Sequence, residues 1–227
     1  LPPLHQRAAR GAEGRTGVKY RRFFWDFDGT LYDTYGRVTR ANEKAMTDLG
    51  VTLEYDALYR AVKRSIFYAW ELYAAPRGFD WDTYFAAYRR HADEEGPESM
   101  MPYPGTGEAL AKIVALGGRN YLYTHRDNAA WDALRREGLN GLFADGVTSQ
   151  NHFPSKPAPD ALNYLVQKNG LNRAECLMIG DRDIDLEAGK NAGMDGALFD
   201  PEDFYADYPA ALRFHSMGEL AQALAKQ

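Results

Sequence analysis

From residue 106 onward, short apolar runs alternate with amphipathic stretches, and this restricts the chain to a parallel sheet with helices on both faces. Helical spacing is expected at 106–116, 128–137, 158–169, 184–192 and 216–225. Strands are expected at 120–124 (NYLYT), near 145–148, at 176–180 (CLMIG) and at 196–199 (GALF). One more apolar, aromatic run, KYRRFFWDFD at 19–28, reads as a buried strand ending in the Gly29-Thr30 turn. Between that strand and the rest the pattern changes. Stretches near 38–49, 54–75 and 81–95 have helical spacing, broken by Gly50-Val51-Thr52 and Pro76-Arg77-Gly78, with no strand among them. The expectation is a three-layer α/β core from 18–33 and 103–227, with a helical block at 34–102 inserted after the first strand. Linkers near 32–36 and 100–105 are the expected hinges.

Composition narrows the possible functions. The 227 residues carry 27 Lys+Arg against 32 Asp+Glu, a net charge of −5, which argues against a broad basic surface for nucleic acid. No apolar run has the length of a membrane span. Cys176, the single cysteine, cannot form an internal disulfide, and it reads as a small core residue. These features lead us to expect a cytoplasmic protein, monomer or homodimer. Residues 1–17 are expected to be a flexible tail.

In parallel sheets ligands bind beyond the carboxyl ends of the strands, and here those ends carry reactive groups. They are Asp26-Phe27-Asp28-Gly29-Thr30, Thr124-His125-Arg126, Lys156-Pro157-Ala158-Pro159 and Gly180-Asp181-Arg182-Asp183-Ile184-Asp185. If the strands are neighbours, several carboxylates converge with a hydroxyl and an ammonium. Such carboxylates oppose one another's ionisation unless a cation is present, and Mg²⁺ accepts a few carboxylates plus phosphate oxygens. Carboxylates, Mg²⁺, Lys and a hydroxyl are what a transferring phosphoryl group requires. Asp26 and Asp28, two apart, would face one side of a regular strand. Gly29 allows a sharp turn that leaves N–H groups around 27–28 free for phosphate oxygens.

DFDGT followed by Leu31, a hydrophobic strand ending in Thr124, Lys156 in KPAP, and GDRDIDLEAGKNAG together resemble the four motifs of the haloacid dehalogenase-like hydrolase superfamily. The helical insertion resembles the alpha-helical cap of its phosphoglycolate phosphatase and beta-phosphoglucomutase branch. The likeness spans roughly residues 20–200 and implies a Rossmann-like core with the Asp26 strand central. It implies that Asp26 is the nucleophile and Asp28 the general acid/base. Thr124 would hydrogen-bond the phosphoryl group, Lys156 would neutralise it and orient Asp26, and Phe27, Gly29 and His125 would contribute to phosphate binding. Mg²⁺ would be held by Asp26, the Asp28 backbone carbonyl and Asp181, with Asp185 a ligand or a positioner of a metal water or Lys156. The branch often has Asn where this chain has His125, and a small residue where it has Arg182.

The resulting expectation is a Mg²⁺-dependent phosphatase acting on a small phosphorylated metabolite through an aspartyl phosphate, without nucleic-acid or membrane partners. The competing readings are a phosphomutase on the same scaffold, a dehalogenase, and a non-catalytic binding module with a relic site. Asp183 is placed to cap the following helix, and His91, His152 and His215 are expected at the surface. The aromatics of 55–88 should pack the inserted block, and Arg37, Arg40, Lys44, Arg60, Lys63 and Arg64 read mainly as a solvated face.

Overall fold

The computed structural model describes residues 19–225; the segment 1–17, expected as a tail, lies outside the described residues. The core is a six-stranded, all-parallel sheet of β1 (Arg22–Trp25), β4 (Arg119–Tyr123), β5 (Phe143–Val147), β6 (Cys176–Gly180), β7 (Asp195–Phe199) and β8 (Leu212–Phe214). The strand order is β5-β4-β1-β6-β7-β8, so β1 is central. Alternate residues of the buried strands feed two separate cores, as the period of 2 requires. Phe23, Trp25, Leu122, Leu177 and Ile179 pack on one face against α5 (Thr106–Ala115), α6 (Ala129–Arg136) and α9 (Met217–Ala225). Phe24, Tyr121, Tyr123 and Met178 pack on the other against α7 (Asp160–Lys168) and α8 (Asp183–Asn191). Cys176 lies in this second core. The fold is therefore a Rossmann-like three-layer α/β core.

Four helices follow β1: α1 (Tyr35–Asp48), α2 (Tyr55–Arg64), α3 (Ile66–Tyr73) and α4 (Trp81–Glu94). They have their own apolar interior, with Ala41, Ala45, Met46, Tyr84 and Tyr88 packing α1 on α4 and Tyr35, Leu58, Val62 and Ala69 packing α1, α2 and α3 together. The expected single helix at 54–75 is two helices. Ser65 is extended (φ −172°, ψ 158°), and its Oγ accepts the Tyr68 N–H at 2.8 Å, starting α3 as an N-cap. Where the chain leaves and re-enters the core, β2 (Tyr32–Asp33) pairs antiparallel with β3 (Met101–Pro102). Both expected hinge segments thus contribute to one short ribbon.

Several other expectations need correction. The edge strand β8 gave no apolar alternation. It is pinned through Arg213, which pairs with buried Asp200 at 2.9 Å and donates to the carbonyls of Tyr205, Ala206 and Tyr208. Lys63 is buried, and its ammonium reaches Glu202 of the core at 3.0 Å, so it is no part of a solvated face. His91 is half-buried between Asp48 and Glu94, whereas His152 and His215 are exposed. Asp183 occupies the first turn of α8, and Asp185 supplies the cap by accepting the Arg182 N–H at 3.1 Å. No helix among the described residues is long and apolar enough to cross a membrane.

Candidate active site

Because β1, β4 and β6 are adjacent and parallel, their carboxyl ends bring Asp26, Thr124 and Asp181 to one edge of the sheet. The backbone leaves β1 at Trp25, although the Asp26 N–H still bonds Ile179 O at 2.9 Å. The chain then folds into a tight loop in which the Phe27 carbonyl accepts from Leu31 and Tyr32 and the Gly29 N–H donates to Tyr32 O. The strand period consequently does not extend over 26–28, and the two carboxylates take different partners. Among the described residues the Phe27 and Asp28 N–H groups donate to no protein acceptor. The Phe27 ring is buried and stacks on Tyr32, so only its backbone is offered to a ligand.

Gly29 has φ +78°, and a Cβ there would strike the Tyr35 ring and stand 2.5 Å from an Asp181 carboxylate oxygen. This is a position where only glycine fits without displacing a neighbour.

Lys156 is the hub of the buried cluster. Its Nζ lies 2.7 Å from Asp26 Oδ1 and 2.8 Å from Asp185 Oδ1, and it donates to the Tyr123 carbonyl at 3.0 Å. His125 holds the same loop, since its Nε2 accepts the Lys156 backbone N–H at 2.9 Å. That contact requires a bare Nε2. Burial, with the Lys156 and Arg182 charges, lowers the imidazole to about 4 and keeps it neutral. Arg126 anchors its own backbone by donating N–H to Thr124 Oγ1 at 3.0 Å.

Asp26, Asp181 and Asp185 are all buried, and one carboxylate oxygen from each lies within 4.8 Å of the others. Burial, opposed by Lys156, raises Asp26 to about 6. Burial also raises Asp181 to about 7, with Arg182 opposing and Asp185 and Asp26 adding repulsion. Asp185 goes the other way, because Lys156 and Arg182 outweigh the effect of burial. Asp26 Oδ2 is buried with no hydrogen-bond partner among the described residues. Three buried carboxylates, two of them reluctant to ionise and one with an orphaned oxygen, form a donor set suited to a hard divalent cation.

The Asp28 carboxylate stands outside this trio. Arg126 grips it through Nη2 at 2.6 Å and through Nε at 3.0 and 3.1 Å, and Thr34 Oγ1 donates to it at 2.7 Å. Burial would raise its pKa, but the Arg126 charge and hydrogen bonds overcome this and hold it below the usual carboxylate range. Sequence reasoning left the Arg126 side chain unassigned and missed Thr34. It also missed the hydroxyls on Asp181, where Tyr35 donates to Oδ2 at 2.7 Å and Thr30 to Oδ1 at 3.2 Å. Nothing in the spacing of TLYDTY marked these residues, because their partners Asp28 and Asp181 meet them only where the loop after β1 and the start of α1 pack against the end of β6.

The model of the haloacid dehalogenase-like hydrolases matches residues 23–199. The chain belongs to this family. It is similar to a phosphoglycolate phosphatase of Aliivibrio fischeri, with 28% identity over 179 residues, covering 74% of this chain and 79% of the relative. A glyceraldehyde 3-phosphate phosphatase of Methanothermobacter thermautotrophicus is 24% identical over 200 residues, covering 79% and 85%. Among solved structures, a hydrolase from Streptococcus pneumoniae is 31% identical, with a TM-score of 0.64 over 91% of this chain and 99% of that one. A haloacid dehalogenase-like hydrolase from Bacteroides fragilis, 20% identical with a TM-score of 0.76 over 89% of this chain and 100% of that one, shares the fold. Within the family the chain is an enzyme of the phosphatase kind, on the phosphoglycolate phosphatase-like branch.

Proposed function

We propose that the chain hydrolyses a small phosphate monoester in a Mg²⁺-dependent reaction that passes through an aspartyl phosphate at Asp26. The observation that carries this reading is the Asp26 carboxylate itself: one oxygen is fixed by Lys156, and the other is buried without a partner at the sheet edge. Asp26 attacks phosphorus, and Asp28, which Arg126 and Thr34 hold ionised in this structure and which takes up a proton from solvent before this step, gives that proton to the departing alcohol oxygen. Asp28 then takes a proton from water as the water oxygen attacks phosphorus, which releases inorganic phosphate and restores Asp26. The ionised Asp28 stabilised by Arg126 and Thr34 is the form needed for this second step. Thr124, Lys156 and the free N–H groups of Phe27 and Asp28 bind phosphoryl oxygens. Asp26, Asp181 and the Asp28 carbonyl would hold the Mg²⁺, with Asp185 beside them orienting Lys156. The ion's contribution is to spread the charge of the phosphoryl group. The block at 34–102 acts as a cap that excludes bulk water.

The test is phosphate release from a panel of metabolite phosphates, led by phosphoglycolate and glyceraldehyde 3-phosphate, with Mg²⁺ and with chelator. Release should require Mg²⁺, and Asp26→Asn should lower it roughly a thousandfold or more. Equal rates with chelator would contradict the metal assignment, and a brisk Asp26→Asn variant would contradict the covalent step. An isomerised sugar phosphate with little release would favour the mutase.

A further inference from the structure

Between the helical block and the core lies a cavity of about 360 Å³ whose wall includes Asp28, Thr34, Tyr88, Arg89, Arg126 and Arg182. A neighbouring cavity of about 280 Å³ shares Tyr88, Arg89 and Arg126 and adds Arg37. Four arginines therefore face three carboxylates, those of Asp28, Asp93 and Asp127. Arg182 also feels the charges of Asp26, Asp181 and Asp185.

Arg126 has the most informative geometry of the four. A guanidinium presents two bidentate edges, one through Nε and Nη2 and one through Nη1 and Nη2. Asp28 occupies the first edge, at 2.6 to 3.1 Å. Nη1 has no partner among the described residues, and the side chain is 21% exposed in the cavity wall. The group is thus positioned and half satisfied. On α4, exposed Arg89 has no ion-pair or hydrogen-bond partner among the described residues.

We propose that Arg126 is a specificity-determining residue whose free edge binds a second anionic group, a carboxylate or a phosphate, on the alcohol half of the substrate. This rests on the phosphatase reading above, in which Asp28 faces the leaving oxygen. A guanidinium clamped to Asp28 then stands beside the leaving group and away from the transferring phosphoryl group. Arg126 can hold Asp28 and such an oxyanion together, because each uses a different edge. The substrate class is a phosphate monoester with a charged alcohol, and a neutral alcohol would leave Nη1 unmatched.

The experiment measures kcat and KM with Mg²⁺ for phosphoglycolate, propane-1,3-diol bisphosphate and ethyl phosphate, using the parent chain, Arg126→Lys and Arg126→Met. The parent should favour at least one of the two charged esters over ethyl phosphate by about tenfold or more in kcat/KM, the scale of a charge-assisted hydrogen bond. Whichever of the two is favoured identifies the carboxylate or the phosphate as the group read. Arg126→Met should shrink that preference by about tenfold, through KM for the charged ester, and Arg126→Lys should retain part of it. A parent enzyme without the preference would overturn the proposal, and so would a Met variant that slows all three esters by one common factor. Absence of release from any ester by the parent would instead refute the phosphatase reading. If the Met variant does not fold, the parent's own preference and the Lys variant decide the matter.

Discussion

Replacing Lys156 with Met keeps the length of the side chain and removes the only ammonium in contact with Asp26 and Asp185 among the described residues. Nζ lies 2.7 and 2.8 Å from these carboxylates, and all three side chains are essentially inaccessible. Each contact corresponds to an attraction on the order of 6 kcal/mol at an effective dielectric of 20, much of it offset by the cost of burying the ammonium. Removing the cation leaves that cost on the carboxylate side uncompensated, and breaking a buried pair in this way destabilises by about 3–5 kcal/mol. For a chain of this size the melting temperature should fall on the order of 10 °C at pH 8 with chelator present. The pH dependence gives a sharper test. Without Lys156 the folded-state pKa values of Asp26 and Asp185 rise, so the folded form of the variant takes up protons as the pH falls. The gap from the parent should therefore narrow between pH 8 and pH 5.5. Lys156→Met/Asp185→Asn should recover part of the loss, because one unpaired charge is gone. A variant melting within about 2 °C of the parent at pH 8, or a gap that widens on acidification, would refute the reasoning.

Three further outcomes follow from the site. In chelator the parent should lose stability as pH rises from 5.5 to 8, because Asp26 (about 6) and Asp181 (about 7) bind protons more tightly folded than unfolded. His125, lowered to about 4, pulls the other way, but it is one group against two. Urea midpoints at the two pH values check this, and a higher midpoint at pH 8 in chelator would count against it. Tyr35→Phe removes the hydroxyl on Asp181 and should raise the Mg²⁺ concentration for half-maximal activity about tenfold, as loss of a ligand-orienting hydrogen bond commonly does. An unchanged Mg²⁺ titration would show that this hydroxyl orients nothing. Gly29→Ala, with its Cβ against Tyr35 and Asp181 at positive φ, should cost about 1–3 kcal/mol and abolish turnover. A soluble, active alanine variant would show that the loop can relax.

The sheet was legible because burial on both faces leaves near-continuous apolar runs, and strands such as Cys176–Gly180 are marked by composition alone. The helical insertion was legible for the complementary reason, a period of 3.6 sustained between loop signals. Elements set by a few particular side-chain contacts were not legible. Ser65 breaks a helical pattern through one side-chain hydrogen bond to Tyr68, and β8 owes its place to Arg213 on Asp200. Periodicity reports averages over many residues, and such contacts contribute nothing to an average.

The same division runs through the site. Local sequence determined which residues stand at the strand ends, because DFDGT and GDRDID each lie where an apolar run gives way to polar side chains and a turn. Spacing along the chain did not show which of these groups touch; the pairing of Lys156 with Asp26 and Asp185 was expected only through the family resemblance, and the Arg126 and Tyr35 contacts were not expected at all. That Lys156 bridges Asp26 and Asp185, that Tyr35 covers Asp181 and that Arg126 clamps Asp28 were decided when β4, β1 and β6 came side by side and α1 packed above them. A hydrogen-bonded ion pair requires its atoms to come within about 3 Å of each other, so it is settled by distances that only the folded chain creates.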